Sequence, residues 1–444
     1  MKVNRRQFLQ VASAAAATLA AGACGPSPSP SGGSGSADVP VGVPNGDYFK
    51  QIGADLAAAG FGAPQIFIDL DRLDANADAI VGEVGSDRFR LVEKSLPSLE
   101  LLSYIHKRTR VDRLMVLHLP FLPAILTAFP VADILIGKLQ PTNEVKQFFQ
   151  SLAEADRPAA AARVRFLVES RTRLEELVAL ANTLSLTLQV GVEVDGGLHR
   201  GGVRRPAELP DVLDGFVENP GPVRFAGMLG YDGHITAAPG GPGLEEYTAR
   251  GAYSGFVKTF ESFISVLKSD FPTLWRDDLI FNSGGTETYA LHHGGPANDV
   301  AAGGGMLRPA SYGNLFIKAL QPALFVATPV LQHFDTFELP FGPAQSTQLY
   351  DGNQSFSMVG GGWPMQFVWP TGIQPAPIES DPDGANIVCN QSLMIGPNSP
   401  AIGPGDWVFA HARKSDLLFV FENIRLVRNG RLVPESWRCF PRRY

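Results

Sequence analysis

Residues 89–119, FRLVEKSLPSLELLSYIHKRTRVDRLMVLHL, set out one structural unit in full. Phe89 to Glu93 is a short apolar run with the length of a buried strand, and Ser95 and Pro97 break it. From Leu99 to Arg108 the apolar residues recur at spacings of three and four, the mark of a helix packed on one face. Arg113 to Leu119 is apolar again. Strand, helix, strand with a short connection is the unit from which parallel sheets covered by helices are built.

The same alternation extends in both directions. Ile66 to Leu70, Ala132 to Gly137, Val164 to Glu169, Leu186 to Glu193, Phe225 to Tyr231 and Leu279 to Asn282 read as further strands. Asn143 to Ala155, Thr172 to Leu184 and Tyr247 to Ser269 read as helices between them. About eight β/α units over roughly 250 residues predict a closed (β/α)8 barrel, an α/β fold. We place it at residues 45–315. From 316 to 444 the pattern changes to Pro, Gly and alternating residues, as in FSMVGGGW, DWVFAH and LLFVFENIRLVRNGRLV. In the last of these, Arg428-Asn429-Gly430-Arg431 is a hairpin turn signal. This part is predicted to be an all-β domain.

With 45% hydrophobic and 18% charged residues and a formal net charge of −7, the 444-residue chain can bury a large core and has no strongly basic stretch. That argues against a nucleic-acid partner. Residues 1–24 have a basic head at Lys2, Arg5 and Arg6 and an apolar run from Val11 to Ala23 that is short for a membrane span. The piece NRRQFLQ resembles a twin-arginine export signal, and Ala-Gly-Ala-Cys24 resembles a loose lipoprotein cleavage box. An uncleaved or anchoring N-terminus is the alternative. Residues 25–44, rich in Pro, Gly and Ser, read as a flexible tether. The expected location is therefore the periplasm or cell envelope, with membrane contact only through a lipid on Cys24. An exported chain permits pairing of Cys389 with Cys439, but sequence alone does not place them. No Cys/His cluster has zinc-ligand spacing.

In such a barrel the active site lies at the C-terminal ends of the strands. That rule gathers Lys94, then Arg200 after VGVEVDGGL, Tyr231 and His234 after FAGMLG, and Ser283, Gly284, Gly285 and Thr286 after LIFN. Burial disfavours an ammonium, and a neutral lysine amine attacks an aldehyde to form a Schiff base, with pyridoxal phosphate the obvious aldehyde. A lysine that snorkels to solvent is the alternative. NSGGTET offers a backbone loop open to a phosphate, or a plain glycine turn. His234 is an acid or base, or a hydrogen-bonded core histidine.

PQIFIDLDRLDANADAI, RLVEKSLPS, VGVEVDGGLHRGGV, FAGMLGYDGH, FNSGGTETY, GMLRPASYGN and GPGDWVFAHARKSDLLFVFENIRLVRNG, in that order, resemble the fold-type III pyridoxal phosphate enzymes. The similarity is to the branch of D-threonine aldolases and eukaryotic D-serine dehydratases, with an alanine racemase-like N-terminal domain and a D-serine dehydratase-like β domain. The resemblance implies that Lys94 carries the cofactor, that Arg200 and Tyr231 contact its ring, and that Ser283, Gly284, Gly285 and Thr286 hold its phosphate. It also implies a homodimer and a small amino-acid substrate.

Metal-dependent members carry a His-x-Cys or His-x-Asp pair in the C-terminal domain. Here the stretch reads AHARKSDLL, which gives His411-x-Arg413 or Lys414-x-Asp416, neither a two-ligand site. It is more similar to the HAKAGEL element of bacterial amino-acid deaminase or aldolase proteins. The expectation is an enzyme without a metal, in which His411, Arg413 and Lys414 recognise the substrate, or a strand whose Arg413 and Lys414 are merely solvated. The activity expected is that of a lyase on a small, D-3-hydroxy amino acid, by retro-aldol cleavage or dehydration with deamination, with Lys94 and His234 as proton carriers. The alternatives are a racemase or epimerase, a cofactor-binding protein without turnover, and a structural lipoprotein.

Overall fold

Eight parallel strands close into a barrel in sequence order: β2 (Phe89–Val92), β3 (Arg113–Val116), β4 (Asp133–Ile136), β5 (Val164–Val168), β6 (Leu188–Glu193), β7 (Val223–Leu229), β8 (Ile280–Ser283) and β9 (Asp299–Ala302). The computed structural model describes residues 42–240, 242–313, 315–339, 352–379 and 390–441. The N-terminal signal and tether, including Cys24, and also Cys389 lie outside the described residues.

The helices form where the apolar spacing places them, and local caps fix their starts. α3 (Leu99–Thr109) begins at buried Ser98, whose hydroxyl accepts from the Leu101 N–H, and it buries Leu101, Leu102 and Ile105. α7 (Arg171–Leu184) begins in the same way at Ser170, with Leu174, Leu177, Leu180 and Ala181 inward. Counted in chain order, α1 is Gly46–Ala58 and α2 is Leu70–Val84. α4 is Leu122–Ala128, α5 Thr142–Ser151, α6 Arg157–Arg163, α8 Leu209–Glu218 and α9 Glu245–Asp270.

The first expected barrel strand is a correction. β1 (Gln65–Asp69) lies outside the barrel, antiparallel to β10 (Leu324–Phe334) and parallel to β16 (Asn423–Arg428) in the C-terminal sheet. Its place in the barrel is taken by β9, between β8 and β2. Both sites bury a strand on two faces, so apolar content does not say which sheet receives it.

Among the described residues the C-terminal sheet has nine strands. Its main path also contains β11 (Asn353–Val359), β13 (Gln374–Pro375), β14 (Gln391–Pro397) and β17 (Arg431–Arg438), while β15 (Trp407–Ala412) pairs with β10 and β12 (Met365–Trp369). Asn429 and Gly430, both at positive φ, make the expected two-residue hairpin between β16 and β17. α1 covers one face of the sheet, where Phe49 packs on Phe325 and Phe409 at centroid distances of 5.5 and 5.0 Å. The chain's end returns to the barrel: the Phe440 N–H donates to the Pro97 carbonyl at 2.7 Å, and its ring stacks on Phe121 at 4.3 Å.

Candidate active site

A cavity of about 160 Å³ opens at the C-terminal ends of the barrel strands, lined by Lys94, Arg200, Tyr231, Gly284, Gly285 and Thr286 among others. Six of the eight residues expected to bind cofactor or carry protons therefore meet at one place; Ser283 and His234 do not line it.

Lys94 stands in a single 3-10 turn, Glu93–Ser95, directly after β2. Its neighbour Glu93 is fully buried and accepts from the Leu117 N–H at 3.2 Å and meets His118 Nδ1 at 3.1 Å. These contacts anchor the turn to the end of β3. Gly303 lets β9 pass behind it, since a Cβ there would lie 2.6 Å from the Val92 carbonyl oxygen. Lys94 itself is exposed, and among the described residues no hydrogen bond or ion pair holds its Nζ. The burial invoked for this lysine from sequence is thus absent from the single chain.

Arg200 follows β6 on a loop built around Asp195. That carboxylate accepts from the N–H groups of Gly197 and His199, each at 2.9 Å, and binds His199 Nδ1 at 2.8 Å. Burial pushes the Asp195 carboxyl up, and these bonds together hold it below the usual range. The Arg200 guanidinium lies over the Tyr231 ring at 4.7 Å, so the two form one stacked wall. Burial, and then the neighbouring Asp232, raise the Tyr231 phenol above its ordinary value, which keeps it protonated at neutral pH.

The loop after β8 forms the opposite wall. Gly284 sits at φ +97, and a Cβ there would come within 2.9 Å of Val300 Cγ1. The Thr286 hydroxyl accepts from the Gly305 N–H at 3.0 Å. Ser283 is buried at the end of β8, and among the described residues its Oγ has no hydrogen-bond partner. His234 is half-buried below Gly197, where a Cβ would lie 3.0 Å from its Nε2, and burial lowers its pKa.

The C-terminal candidates separate by environment. His411 is buried in β15, its ring 5.5 Å from Phe325, and its Nε2 is hydrogen bonded to the Arg308 carbonyl at 2.8 Å. Because a carbonyl only accepts, Nε2 carries the proton. Burial pushes the imidazole down to about 4, so it is neutral. His411 does not line the cavity: its ring packs against Phe325 and its Nε2 is engaged by the Arg308 carbonyl. Arg413 and Lys414 are exposed, and neither lines the cavity. Among the described residues no group of three or more His, Cys, Asp or Glu side chains is placed to hold a metal ion.

Two lining residues escaped the sequence reading. Tyr312 lies within the quoted GMLRPASYGN, and no local signal singles it out. It packs beside Gly304, where a Cβ would lie 2.5 Å from its Oη, and burial pushes its phenol up to about 12. Asn282 lines the floor and donates to Asp299, which belongs to a buried network centred on Arg90 inside the barrel.

Residues 68–274 match the alanine racemase N-terminal domain. No curated protein matches the chain in sequence. Among solved structures, the fold is similar to D-threo-3-hydroxyaspartate dehydratase from Delftia sp. HT23, with a TM-score of 0.65 and 15% identity over 86% of this chain and 98% of that one. It is similar to D-threonine aldolase from Filomicrobium marinum, with a TM-score of 0.66 and 15% identity over 85% and 96%. Alanine racemase from Bacillus anthracis gives a TM-score of 0.63 and 16% identity over 85% and 98%.

Proposed function

We propose that this chain, whose barrel carries an alanine racemase N-terminal domain, is a pyridoxal phosphate-dependent lyase acting on a small D-3-hydroxy amino acid. The observation that carries the reading is that Lys94, the Arg200–Tyr231 wall and the Gly284–Thr286 loop face one cavity. The residues present fit the cofactor. The glycine loop lines the cavity with Gly284 and Gly285, whose lack of side chains leaves the backbone open to a phosphate. A primary amine stands across the cavity mouth. When bound, pyridoxal phosphate supplies an electron-accepting ring that stabilises charge developing at the substrate α-carbon.

The chain's own groups do the remaining work. Lys94 Nζ offers the attachment point and, once free, a base at the cavity mouth. Its turn is held by buried Glu93, so the amine is positioned while its tip can move. Tyr231 and Arg200 present a flat cationic face. The Thr286 hydroxyl holds the Gly305 N–H, so the phosphate side of the cavity is braced between the loops after β8 and β9. Arg413 and Lys414 are offered as contacts for a substrate carboxylate in a homodimer, where a second subunit would cover the exposed Lys94 and Arg200.

Lyase chemistry is supported by the names of two of the similar structures, a dehydratase and an aldolase. Racemisation is the second reading, favoured by the phenols of Tyr231 and Tyr312, which line the cavity together with Lys94. A screen of D- and L-3-hydroxy amino acids and alanine for aldehyde, keto acid, ammonia and inversion separates the two. Inversion with no release of aldehyde, keto acid or ammonia would refute the lyase reading. We propose further that the chain is exported, on the strength of Arg5-Arg6 and the following apolar run. Arg5→Lys with Arg6→Lys should retain it in the cytoplasm, and unchanged export would contradict this.

A further inference from the structure

We propose that Asp232, Thr288 and His292 form a buried positioning unit that sets the glycine loop for a phosphate, so that the protein selects a phosphorylated pyridoxal over an unphosphorylated one. The inference rests on the cofactor reading above.

Asp232 follows Tyr231 directly, and its side chain is fully buried. One carboxylate oxygen accepts from the Thr288 hydroxyl at 2.9 Å, and the other meets His292 Nε2 at 2.8 Å. These partners lie 56 and 60 residues further on, in the segment after β8. A carboxylate accepts only, so Nε2 carries the proton. Thr288 is bound to the glycine pair by its own N–H, which donates to the Gly285 carbonyl at 3.1 Å. A Cβ on Gly285 would lie 3.5 Å from the Tyr231 ring and 3.6 Å from the Thr288 hydroxyl. Asp232 therefore ties both walls of the cavity together at the point where they come closest.

The far side of the unit is equally constrained. The His292 ring stands edge-on to Tyr253 and Phe256 at 5.3 and 6.0 Å, and its carbonyl accepts from Arg88 at 2.8 Å. Its Nδ1 is buried and has no hydrogen-bond partner among the described residues. None of the three residues lines the cavity, so they act through the loop and are not catalytic. A buried carboxylate is costly to desolvate, and an apolar side chain would pack as well. What the polar unit adds is direction, because each hydrogen bond fixes one loop relative to the other.

The test titrates apoprotein with pyridoxal 5'-phosphate and separately with pyridoxal, following protein fluorescence, for wild type, Thr288→Val, Thr288→Ser and His292→Gln. Thr288→Val keeps the volume and deletes one bond. It should weaken pyridoxal phosphate binding by about 10- to 100-fold, change pyridoxal binding by less than about threefold, and be rescued by Thr288→Ser. His292→Gln should act in the same direction. Equal losses for both ligands, or no loss for either, would overturn the positioning role while leaving the cofactor reading intact. Wild-type protein that binds no pyridoxal phosphate would overturn both.

Discussion

Replacing Arg90 with Met removes the centre of the network beneath the cavity. Arg90 is fully buried and contacts Asp299 through Nε and Nη2 at 2.7 and 2.8 Å and Asp133 at 2.9 Å. It also donates to the carbonyls of Leu114 and Asp133, each at 3.0 Å. Met fills similar space but makes none of these bonds. Asp299, equally buried, would keep only Arg113 and Asn282. Breaking a buried pair from one side costs about 3–5 kcal/mol, and the surviving partners place this case near the middle, at about 4 kcal/mol. Against a total stability of about 5–15 kcal/mol, that is a large share. The assay is urea unfolding followed by tryptophan fluorescence, read as a shift of midpoint at constant slope.

Adding Asp299→Asn should cost about 2 kcal/mol less than the sum of the single changes, because the charge left unpaired is then gone. The pH dependence has a definite sign. Burial pushes the Asp299 carboxyl up, but Arg90, Asn282 and Arg113 hold it below the usual range. Its contribution is present above the unfolded value and is lost as pH falls through the folded one. Without Arg90 that loss should move to higher pH. A cost below about 1 kcal/mol, or strictly additive single and double variants, would refute the reasoning.

Three further substitutions probe the site and the sheet. His411 is pushed from an ordinary 6.5 down to about 4, so as pH falls the unfolded chain takes up the proton first, and stability is lost between those two values. The loss from this residue should be about 3 kcal/mol, and His411→Gln, which keeps a donor for the Arg308 carbonyl, should remove it. An identical acid slope in the variant would contradict the assignment. Gly284→Ala combines positive φ with a close approach to Val300 and should destabilise the fold by about 1–3 kcal/mol. Gly285→Ala meets only ordinary contacts and should leave stability within about 0.5 kcal/mol while weakening cofactor binding, both read by thermal unfolding and titration.

The barrel was legible because strand and helix periods differ and alternate along the chain, and capping serines such as Ser98 mark the helix starts. β9 was not, because Asp-Val-Ala-Ala carries little apolar signal and is recognisable only from its pairing with β8 and β2. β1 was visible as a strand, but its partners Leu324–Phe334 and Asn423–Arg428 are hundreds of residues away. Within the site, Lys94, Arg200, Tyr231 and the glycine loop were found because they sit at strand ends, a position readable from the pattern. The Asp232–His292 bond joins loops distant in sequence, and no local spacing encodes it. The burial of His411 was likewise not legible locally, because only the pairing of its strand on both sides shows that it is enclosed.

The measurement closest to the central claim is the visible absorption spectrum of the purified protein after incubation with pyridoxal phosphate, before and after borohydride, with peptide mapping of the reduced product. The account predicts an absorption band above 400 nm that borohydride removes, with the pyridoxyl group fixed on Lys94 and no such band in Lys94→Ala. A colourless wild type, or a label on any other lysine, would contradict it.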